Sequence, residues 1–251
     1  MSHNAFVHVR DLRVVFRRDG QTINAVNGVS FDVQKGEVMA LIGESGSGKS
    51  VTLRALMRLH PPGSSELSGT LRVGDDAVLT MNASQLRRYR GGRCAMIFQE
   101  PLLAFDPVYT VGQQIIEGLR RHEGLSRQAA RDRALEALRQ VRIPSPERRL
   151  EAYPHEMSGG MRQRAMIALA LSCNPQLLLA DEPTTALDAT VQIQILILLR
   201  EQQKQRGLSI VFVTHDIGAA VEIADRVAVM YAGRIVEEAA MSEILRHPRH
   251  P

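Results

Sequence analysis

The chain has 251 residues, of which 44% are hydrophobic, and this length and apolar content suit one large α/β domain or two small ones. Its formal net charge of +4 is carried mainly by arginine and is a weak indication of phosphates or an anionic membrane surface, the alternative being a solvated arginine-rich surface. The two distant cysteines support neither a disulfide framework nor a zinc site, and no apolar run reaches the roughly 18 to 20 residues of a membrane-spanning helix.

The first predicted elements are β-strands. The stretches "FVHVRDLRVVF", "RRDGQTI" and "GVSFDV" predict short strands joined by polar turns in an antiparallel sheet. The almost continuous apolar stretch "EVMALIG" predicts a strand that is buried on both faces of a parallel sheet. A helix is predicted over "VTLRALMRLH" and is expected to stop at Pro61-Pro62-Gly63. The order is therefore strand, glycine-rich loop and helix.

A charged, arginine-rich and helical segment runs from about Pro101 to Pro154. We predict a helix in it that begins behind an N-cap at Ser126 and buries one apolar stripe. The stripe consists of Ala130, Ala134, Leu138 and Val141. This segment is interpreted as a helical insertion.

Strands and helices alternate again after this insertion. A helix is predicted from about Gly160, followed by the strand "QLLLAD", a helix over "ATVQIQILILLREQQKQ" and the strand "SIVFVTH". A hairpin over "RVAVMYAGRIVEEA" is predicted to turn at Ala232-Gly233. This alternation is typical of an α/β domain.

The segment "GESGSGKS" matches the phosphate-binding pattern G-x-x-x-x-G-K-[ST] between a buried strand and a helix. Its glycines let the backbone curl until successive N–H groups point at phosphate oxygens. Lys49 adds a compact charge for the β- and γ-phosphates, and Ser50 offers a hydroxyl to Mg²⁺. The alternative is a glycine-rich turn without a ligand. The predicted nucleotide contacts here are Gly43, Glu44, Ser45, Gly46, Ser47, Gly48, Lys49, Ser50 and Val51.

Acidic and polar residues stand at the ends of the later strands. Asp181 and Glu182 close the apolar "LLLADEP", so Asp181 is expected to hold Mg²⁺ and Glu182 to accept a proton from the attacking water. The alternative for Glu182 is an acid that caps a helix before Pro183. His215 ends the strand in "VFVTHD" and is expected to contact the γ-phosphate, although a lone histidine is usually structural. Gln99, in "MIFQEP", has an amide able to touch both Mg²⁺ and water.

The stretch "YPHEMSGGMRQR" places Ser158, a good helix N-cap, before Gly159 and Gly160 and an apolar run. The start of such a helix carries free N–H groups and the positive end of the helix dipole, which suits an anion held close to the backbone. A plain N-capped core helix explains the serine but not two adjacent glycines, each of which costs up to about 1 kcal/mol of helix stability.

In these motifs and their order, the chain resembles the ATP-binding cassette (ABC) ATPases over nearly its whole length. The matching segments are Walker A at Gly43 to Ser50, the Q-loop at Gln99, the signature at Ser158 to Gln163, Walker B at Leu177 to Glu182, the D-loop at Ala186 to Asp188 and the switch histidine His215. The resemblance implies an α/β fold, a P-loop NTPase domain of the ABC type, over residues 1–251. An α/β core with an N-terminal antiparallel β-subdomain is expected in 1–100 and 160–251, and a helical subdomain in about 101–159.

The resemblance also implies roles for the site residues. Two cassettes pack head to tail, so that part of each ATP site comes from the partner; the residues expected to act in this way are Ser158, Gly159, Gly160 and Asp188. The implied catalytic residues are Lys49, Gln99, Glu182 and His215, and the implied Mg²⁺ ligands are Ser50, Gln99 and Asp181. Phe16 is expected to stack on the adenine, and Val26 is expected to pack beside it. The alternative is that Phe16 is a strand residue of the core.

Longer segments resemble the branch that serves peptide, dipeptide and nickel importers. They are "GESGSGKSVT", "YPHEMSGGMRQR", "ADEPTTALDATVQIQIL" and "HPRHP". Met161 replaces the usual glutamine of the signature and removes its amide contacts, although methionine there is familiar in this branch. Relatives in this branch commonly continue past "HPRHP" into an extension that can carry an iron–sulfur cluster; this chain ends there, so we expect no cluster and a chain cut before that extension.

The same resemblance implies partners and a location. We expect Mg-ATP hydrolysis in a homo- or heterodimer at the cytoplasmic face of the inner membrane, beneath transmembrane permease subunits that receive cargo from an extracytoplasmic substrate-binding protein. The segment "QEPLLAFDPVYTVG" resembles the groove for a permease helix, the alternative being that its apolar residues anchor the loop. Those residues are Pro101, Leu102, Leu103, Phe105 and Tyr109.

Two other functions are weighed against transport. A soluble ABC ATPase acting on nucleic acid is expected to carry a long coiled coil or two cassettes, and basic patches interleaved with aromatic residues. Aromatic residues make up only 4% of this chain, so no nucleic-acid partner is expected. A P-loop kinase outside the ABC group leaves "MSGGMRQR" and "TALD" without a purpose. The cargo is chosen by other proteins, and the sequence alone does not establish import over export.

Overall fold

The structure is a computed structural model that describes residues 5–18, 21–185 and 187–250. Its strands are β1 (Val7–Arg18), β2 (Gln21–Val33), β3 (Val38–Ile42), β4 (Ser65–Val73), β5 (Asp76–Ala77), β6 (Cys94–Ile97), β7 (Leu177–Asp181), β8 (Ser209–Thr214), β9 (Arg226–Tyr231) and β10 (Arg234–Ala240). Its α-helices are α1 (Lys49–Ala55), α2 (Ala83–Arg88), α3 (Pro101–Ala104), α4 (Val111–Glu123), α5 (Arg127–Gln140), α6 (Pro146–Leu150), α7 (Gly159–Leu171), α8 (Ala189–Arg206), α9 (Ile217–Ile223) and α10 (Met241–Arg246).

The chain divides into two compact units. The first unit comprises Met1–Leu86 and Gln203–Pro251, and the second comprises Arg87–Gln202. The predicted limits of the helical subdomain, about 101–159, stay a prediction.

In the first unit, an antiparallel sheet has the strand order β2, β1, β4 and β5. The predicted antiparallel pairing is confirmed, but β1 and β2 are long strands rather than a set of short ones. Asp11 and Gly28 both have positive φ where the pairing register shifts, and such bulges bend a strand without ending it. The backbone N–H of Asp11 donates to Ser30 Oγ at 2.9 Å, which stabilises the bulge.

Also in the first unit, β3 pairs in parallel with β8 and β9, and β10 pairs with β9 in antiparallel orientation. Every residue of β3 and β8 is buried, as their apolar runs predict. The predicted hairpin turn is confirmed at Ala232 and Gly233, whose φ values of 46° and 77° are those of a type I′ turn. An apolar cluster fixes α9 and α10 to this sheet; it consists of Ala40, Ile42, Ala220, Val227 and Met241.

Helix α1 ends at Ala55, so the prediction that the following prolines stop it was wrong. Arg58 has a φ of 50°, and this left-handed residue directs the chain away from the helix before Pro61 is reached. The Arg58 guanidinium donates to the carbonyl oxygen of Met81 at 2.7 Å and holds the turn.

No strand was predicted at β4, β5 or β6. Only Leu71 and Val73 of β4 are buried, so its sequence lacks a clear apolar alternation. Strand β6 has four residues, all buried, and is too short to show a period.

In the second unit, α5 packs against α4, α6 and α7, and β6 pairs with β7 in parallel. The predicted N-cap of α5 is confirmed, because Ser126 Oγ accepts from the N–H of Ala129 at 3.2 Å. The predicted apolar stripe of α5 is buried. None of the helices in the described residues has the length and apolarity to cross a membrane.

Replacing Leu138 by alanine is expected to lower the free energy of unfolding by about 2–5 kcal/mol, because the side chain is fully buried and leaves a cavity. Urea denaturation followed by circular dichroism measures this change. Arg133→Ala, on the exposed side of α5, serves as the control and is expected to stay within about 0.5 kcal/mol. Equal losses in the two variants would contradict the assignment of this stripe to the core.

Candidate functional site

The segment Gly43–Ser50 connects β3 to α1 and wraps tightly against neighbouring backbone. A Cβ at Gly43 would overlap a carbonyl oxygen of β9, and one at Gly48 would lie 2.6 Å from a carbonyl oxygen of β2. Gly43, Gly46 and Gly48 have φ values of 150°, 80° and 101°, in the region that favours glycine. Gly48 is the N-cap of α1 and offers no side chain to the first turn, which suits an anion bound by the backbone.

Lys49 places its positive charge inside this loop. Its side chain is 4% exposed, and Nζ donates to the carbonyl oxygens of Gly43 at 2.7 Å and Glu44 at 2.8 Å. Ser47 Oγ is buried and has no hydrogen-bond partner among the described residues, so this hydroxyl can donate to a ligand. A buried ammonium group, a spare hydroxyl and a glycine cradle fit the phosphates of a nucleotide.

His215 leaves the sheet beside the phosphate loop. Ile42 of β3 is paired with Thr214 of β8, so Gly43 and His215 are the next residues of two adjacent parallel strands. His215 is exposed, and Asp216 after it caps α9 by accepting from the N–H of Gly218 at 2.8 Å. The first unit therefore brings the loop and the histidine together at one carboxyl edge, as predicted from their strand-end positions.

The second unit brings Gln99, Asp181 and Glu182 together. Ile97 of β6 pairs with Ala180 of β7, so Gln99 and Glu182 follow the carboxyl ends of adjacent strands and Asp181 is the last residue of β7. Gln99 Nε2 donates to Glu182 Oε2 at 3.3 Å, and Asp181 is almost fully buried. Glu182 has a φ of 46°, and its Oε2 also accepts from Thr185 Oγ1 at 2.9 Å. Gln99 and Thr185 therefore help to orient the carboxylate.

The signature helix α7 begins as predicted, with Ser158 Oγ accepting from the N–H of Met161 at 3.3 Å. A Cβ at Gly159 would meet no atom within 4 Å, so this glycine leaves space at the helix start. A Cβ at Gly160 would lie 3.0 Å from Val191 Cγ1 of α8. The close contact with α8 therefore favours glycine at position 160, and the sequence did not indicate this contact.

The predicted D-loop lies just before α8. Asp188 Oδ1 accepts from the N–H of Val191 at 3.0 Å and caps this helix, whereas Ala186 lies outside the described residues. The contact of Asp188 with a partner's nucleotide stays a prediction.

Phe16 and Val26, the predicted adenine contacts, lie in β1 and β2. Phe16 is half-buried, and the edge of its ring packs on His60 with centroids 5.4 Å apart. Burial lowers the pKa of His60, although a hydrogen bond to the carbonyl oxygen of Val51 opposes this shift. Val26 is 1% exposed and belongs to the core. The contacts of Phe16 and Val26 with the adenine stay predictions.

The predicted permease groove is described in part. Phe105 is buried, which fits the alternative that it anchors the loop, and Tyr109 is 52% exposed. The side chains of Leu102 and Leu103 lie outside the described residues.

Two residues of the site had no predicted role. Thr185 bonds Glu182, and Gln163 Nε2 of α7 donates to the carbonyl oxygen of Pro183. The position of Thr185, three residues after Glu182, could have indicated this contact, because side chains at that spacing meet in a tight turn. The bond of Gln163 had no such signal, because its acceptor lies 20 residues away.

The sequence pattern of the family described as ABC transporter matches residues 26–185. The chain belongs to the ABC transporter family. The oligopeptide transport ATP-binding protein OppD of Bacillus subtilis (strain 168) is 50% identical over 247 residues, which are 98% of this chain and 69% of that protein. A probable peptide ABC transporter ATP-binding protein of Sinorhizobium fredii is 50% identical over 244 residues, 97% of this chain and 73% of that protein.

Solved structures of ABC proteins share the fold. The dimeric ATP-binding cassette MJ0796, in a post-hydrolysis state bound to ADP and Pi, has a TM-score of 0.83 at 28% identity, covering 94% of this chain and 98% of that chain. The protein cbiO1 of Clostridium perfringens, part of the ABC transporter complex cbiONQ, has a TM-score of 0.79 at 26% identity, covering 98% and 92%. The predicted ABC ATPase fold is confirmed.

Gly48→Ala is expected to lower the free energy of unfolding of the nucleotide-free protein by about 1–3 kcal/mol more than Gly46→Ala. Both positions have positive φ and are strained by a side chain, but only a Cβ at Gly48 meets backbone. Thermal unfolding of the two variants measures the difference. Similar losses would show that the loop does not depend on close contact with β2.

Proposed function

We propose that the chain is the ATP-hydrolysing subunit of an ABC importer whose cargo is di- or oligopeptides, or nickel. The observation that carries the proposal is the glycine cradle with the Lys49 ammonium group inside it, beside the strand end that bears His215. Similarity to subunits named for oligopeptide transport and peptide import supports the cargo class and the direction.

Phosphate binding is assigned to the loop between β3 and α1. Its backbone N–H groups donate to phosphate oxygens, and Lys49 exchanges carbonyl partners for the β- and γ-phosphates. Phe16 is the proposed stacking partner of the adenine, with Val26 behind it. Family membership supports ATP as the nucleotide.

Ser50, Gln99 and Asp181 are the proposed ligands of Mg²⁺. Hydroxyl, amide and carboxylate oxygens are the donors that this hard cation prefers, and a carboxylate buried like that of Asp181 is stabilised by a cation. When bound, the ion neutralises charge on the transferred phosphoryl group.

Glu182 is the proposed general base. Gln99 and Thr185 hold its carboxylate by Oε2, and in this proposal the oriented carboxylate accepts a proton from the attacking water. His215 is assigned to the γ-phosphate. Phosphoryl transfer requires mainly positioning and charge neutralisation, and these residues supply both.

Dimerisation is part of the proposed function. Ser158, Gly159, Gly160 and Asp188 are assigned to the ATP of a second ABC subunit, in a homo- or heterodimer. The open space at Gly159 and the dimeric state of a similar cassette support this assignment. Closure is favoured by the extra contacts that ATP makes in the dimer, and hydrolysis removes them.

The remaining partners follow from the importer assignment. Permease subunits are proposed to dock on the helical segment, and an extracytoplasmic binding protein is proposed to deliver the cargo to them. The chain is assigned to the cytoplasmic face of the inner membrane as a peripheral subunit. The alternative of a soluble ATPase acting on nucleic acid has no support, since the relatives described above are named for transport.

Glu182→Gln is expected to bind ATP normally, to lower turnover by about 10²- to 10⁴-fold and to form a long-lived ATP-bound dimer, because the base is lost but the contacts remain. Steady-state phosphate release and gel filtration with Mg-ATP measure these effects. Glu136→Gln, on the exposed side of α5, is the matched control. Undiminished turnover in Glu182→Gln would remove Glu182 as the base.

Gly159→Ala is expected to weaken ATP-driven dimerisation by about tenfold or more without loss of stability, because the added methyl enters the space assigned to the partner's phosphate. Gly160→Ala is expected to lower stability, and Val191→Ala in the same chain is expected to restore it. Analytical ultracentrifugation and thermal unfolding measure the two effects. Normal dimerisation of Gly159→Ala would argue against the trans assignment.

A further inference from the structure

The signature helix α7 is bonded to the turn that carries Glu182 in the same chain. Gln163 is 2% exposed, and its Nε2 donates to the carbonyl oxygen of Pro183, the residue directly after Glu182. Proline has no N–H, so this carbonyl is its only backbone hydrogen-bonding group. Gln163 therefore supplies a partner to a buried carbonyl at the catalytic turn.

The turn needs to be held in place. Glu182 has a φ of 46°, a left-handed conformation that residues with a side chain adopt only when their surroundings fix it. From within the turn, the N–H of Thr185 donates to the carbonyl oxygen of Glu182 at 3.2 Å. Gln163 fixes the turn from outside, because it projects from a separate helix.

A second face of α7 is attached to α8. Gly160 packs on Val191, and Arg164 Nη2 donates to Gln194 Oε1 at 2.9 Å. Residues four apart lie on one helical face, so Gly160 and Arg164 form the face toward α8. Gly159 and Gln163 form the adjacent face, and Gln163 there reaches the catalytic turn. The first two turns of α7 therefore contact both α8 and the turn that carries Glu182.

We propose that Gln163 is a positioning residue through which the signature helix at one ATP site sets the orientation of Glu182 at the other. This inference rests on the proposed function, in which Ser158 meets the ATP of the partner while Glu182 serves the ATP of its own chain. Engagement of Ser158 displaces or fixes α7, and Gln163 passes that constraint to Pro183 and so to the Glu182 carboxylate. Hydrolysis at each site then depends on occupancy of the other.

A double-mutant cycle tests the proposal by single-turnover ATP hydrolysis in the purified full chain. Methionine matches glutamine in length but cannot donate, so Gln163→Met is expected to lower the rate by about 10- to 100-fold while ATP affinity changes by less than about threefold. In the Glu182→Gln background, the same substitution is expected to cause no further loss, because Gln163 acts through Glu182. Gln128→Met, whose amide bonds Asp132 on α5, is the matched control.

The outcomes separate the two proposals. Equal fold losses from Gln163→Met in both backgrounds overturn the positioning role and leave the proposed function intact. Unchanged hydrolysis in Glu182→Gln alone overturns the base assignment, and the positioning role with it.

A second variant distinguishes positioning from simple packing by its pH profile. In Gln163→Glu, the ionised carboxylate cannot donate to Pro183, whereas the protonated acid can, and burial raises the pKa of such a carboxyl. The rate of Gln163→Glu relative to the natural chain is therefore expected to rise as the pH falls through the raised pKa of the introduced carboxyl, while the relative rate of Gln163→Met stays level. A level ratio for Gln163→Glu overturns the proposal.

Discussion

The phosphate loop lies so close to β2 and β9 that no side chain fits at Gly43 or Gly48. This contact fixes the loop from behind, so that its amides and the Lys49 ammonium group are positioned before a ligand arrives. The hairpin turn between β9 and β10 adds support, because Gly233 accepts from the N–H of Asn27 at 2.7 Å and donates to the carbonyl oxygen of Ser47 at 3.0 Å. A turn remote in sequence thus belongs to the framework of the site.

In the second unit, the corresponding constraint is a strained backbone. Glu182 adopts a left-handed conformation at the end of β7, and that conformation directs its carboxylate toward Gln99 and Thr185. Strain of this kind persists only where neighbouring contacts fix the backbone. Gln163, on the signature helix, supplies one of these contacts, so the helix assigned to a partner's nucleotide is also part of the scaffold of the chain's own base.

Local patterns in the sequence predicted much of this structure. The buried strand before the glycine loop, the N-cap at Ser126 and the hairpin at Ala232-Gly233 each depend on residues within one short stretch. The early end of α1 was missed because it depends on a left-handed Arg58 and an acceptor more than 20 residues away. The bond of Gln163 and the packing of Gly160 were missed for the same reason, since both partners belong to other elements.

The packing of Gly160 on α8 bears on how signature motifs are compared between paired subunits. When the signatures of paired subunits are compared, a glycine at this position is explained by packing as well as by nucleotide binding. The second glycine is therefore a poor marker of a working site, whereas the serine and the first glycine, which this packing does not require, are informative ones.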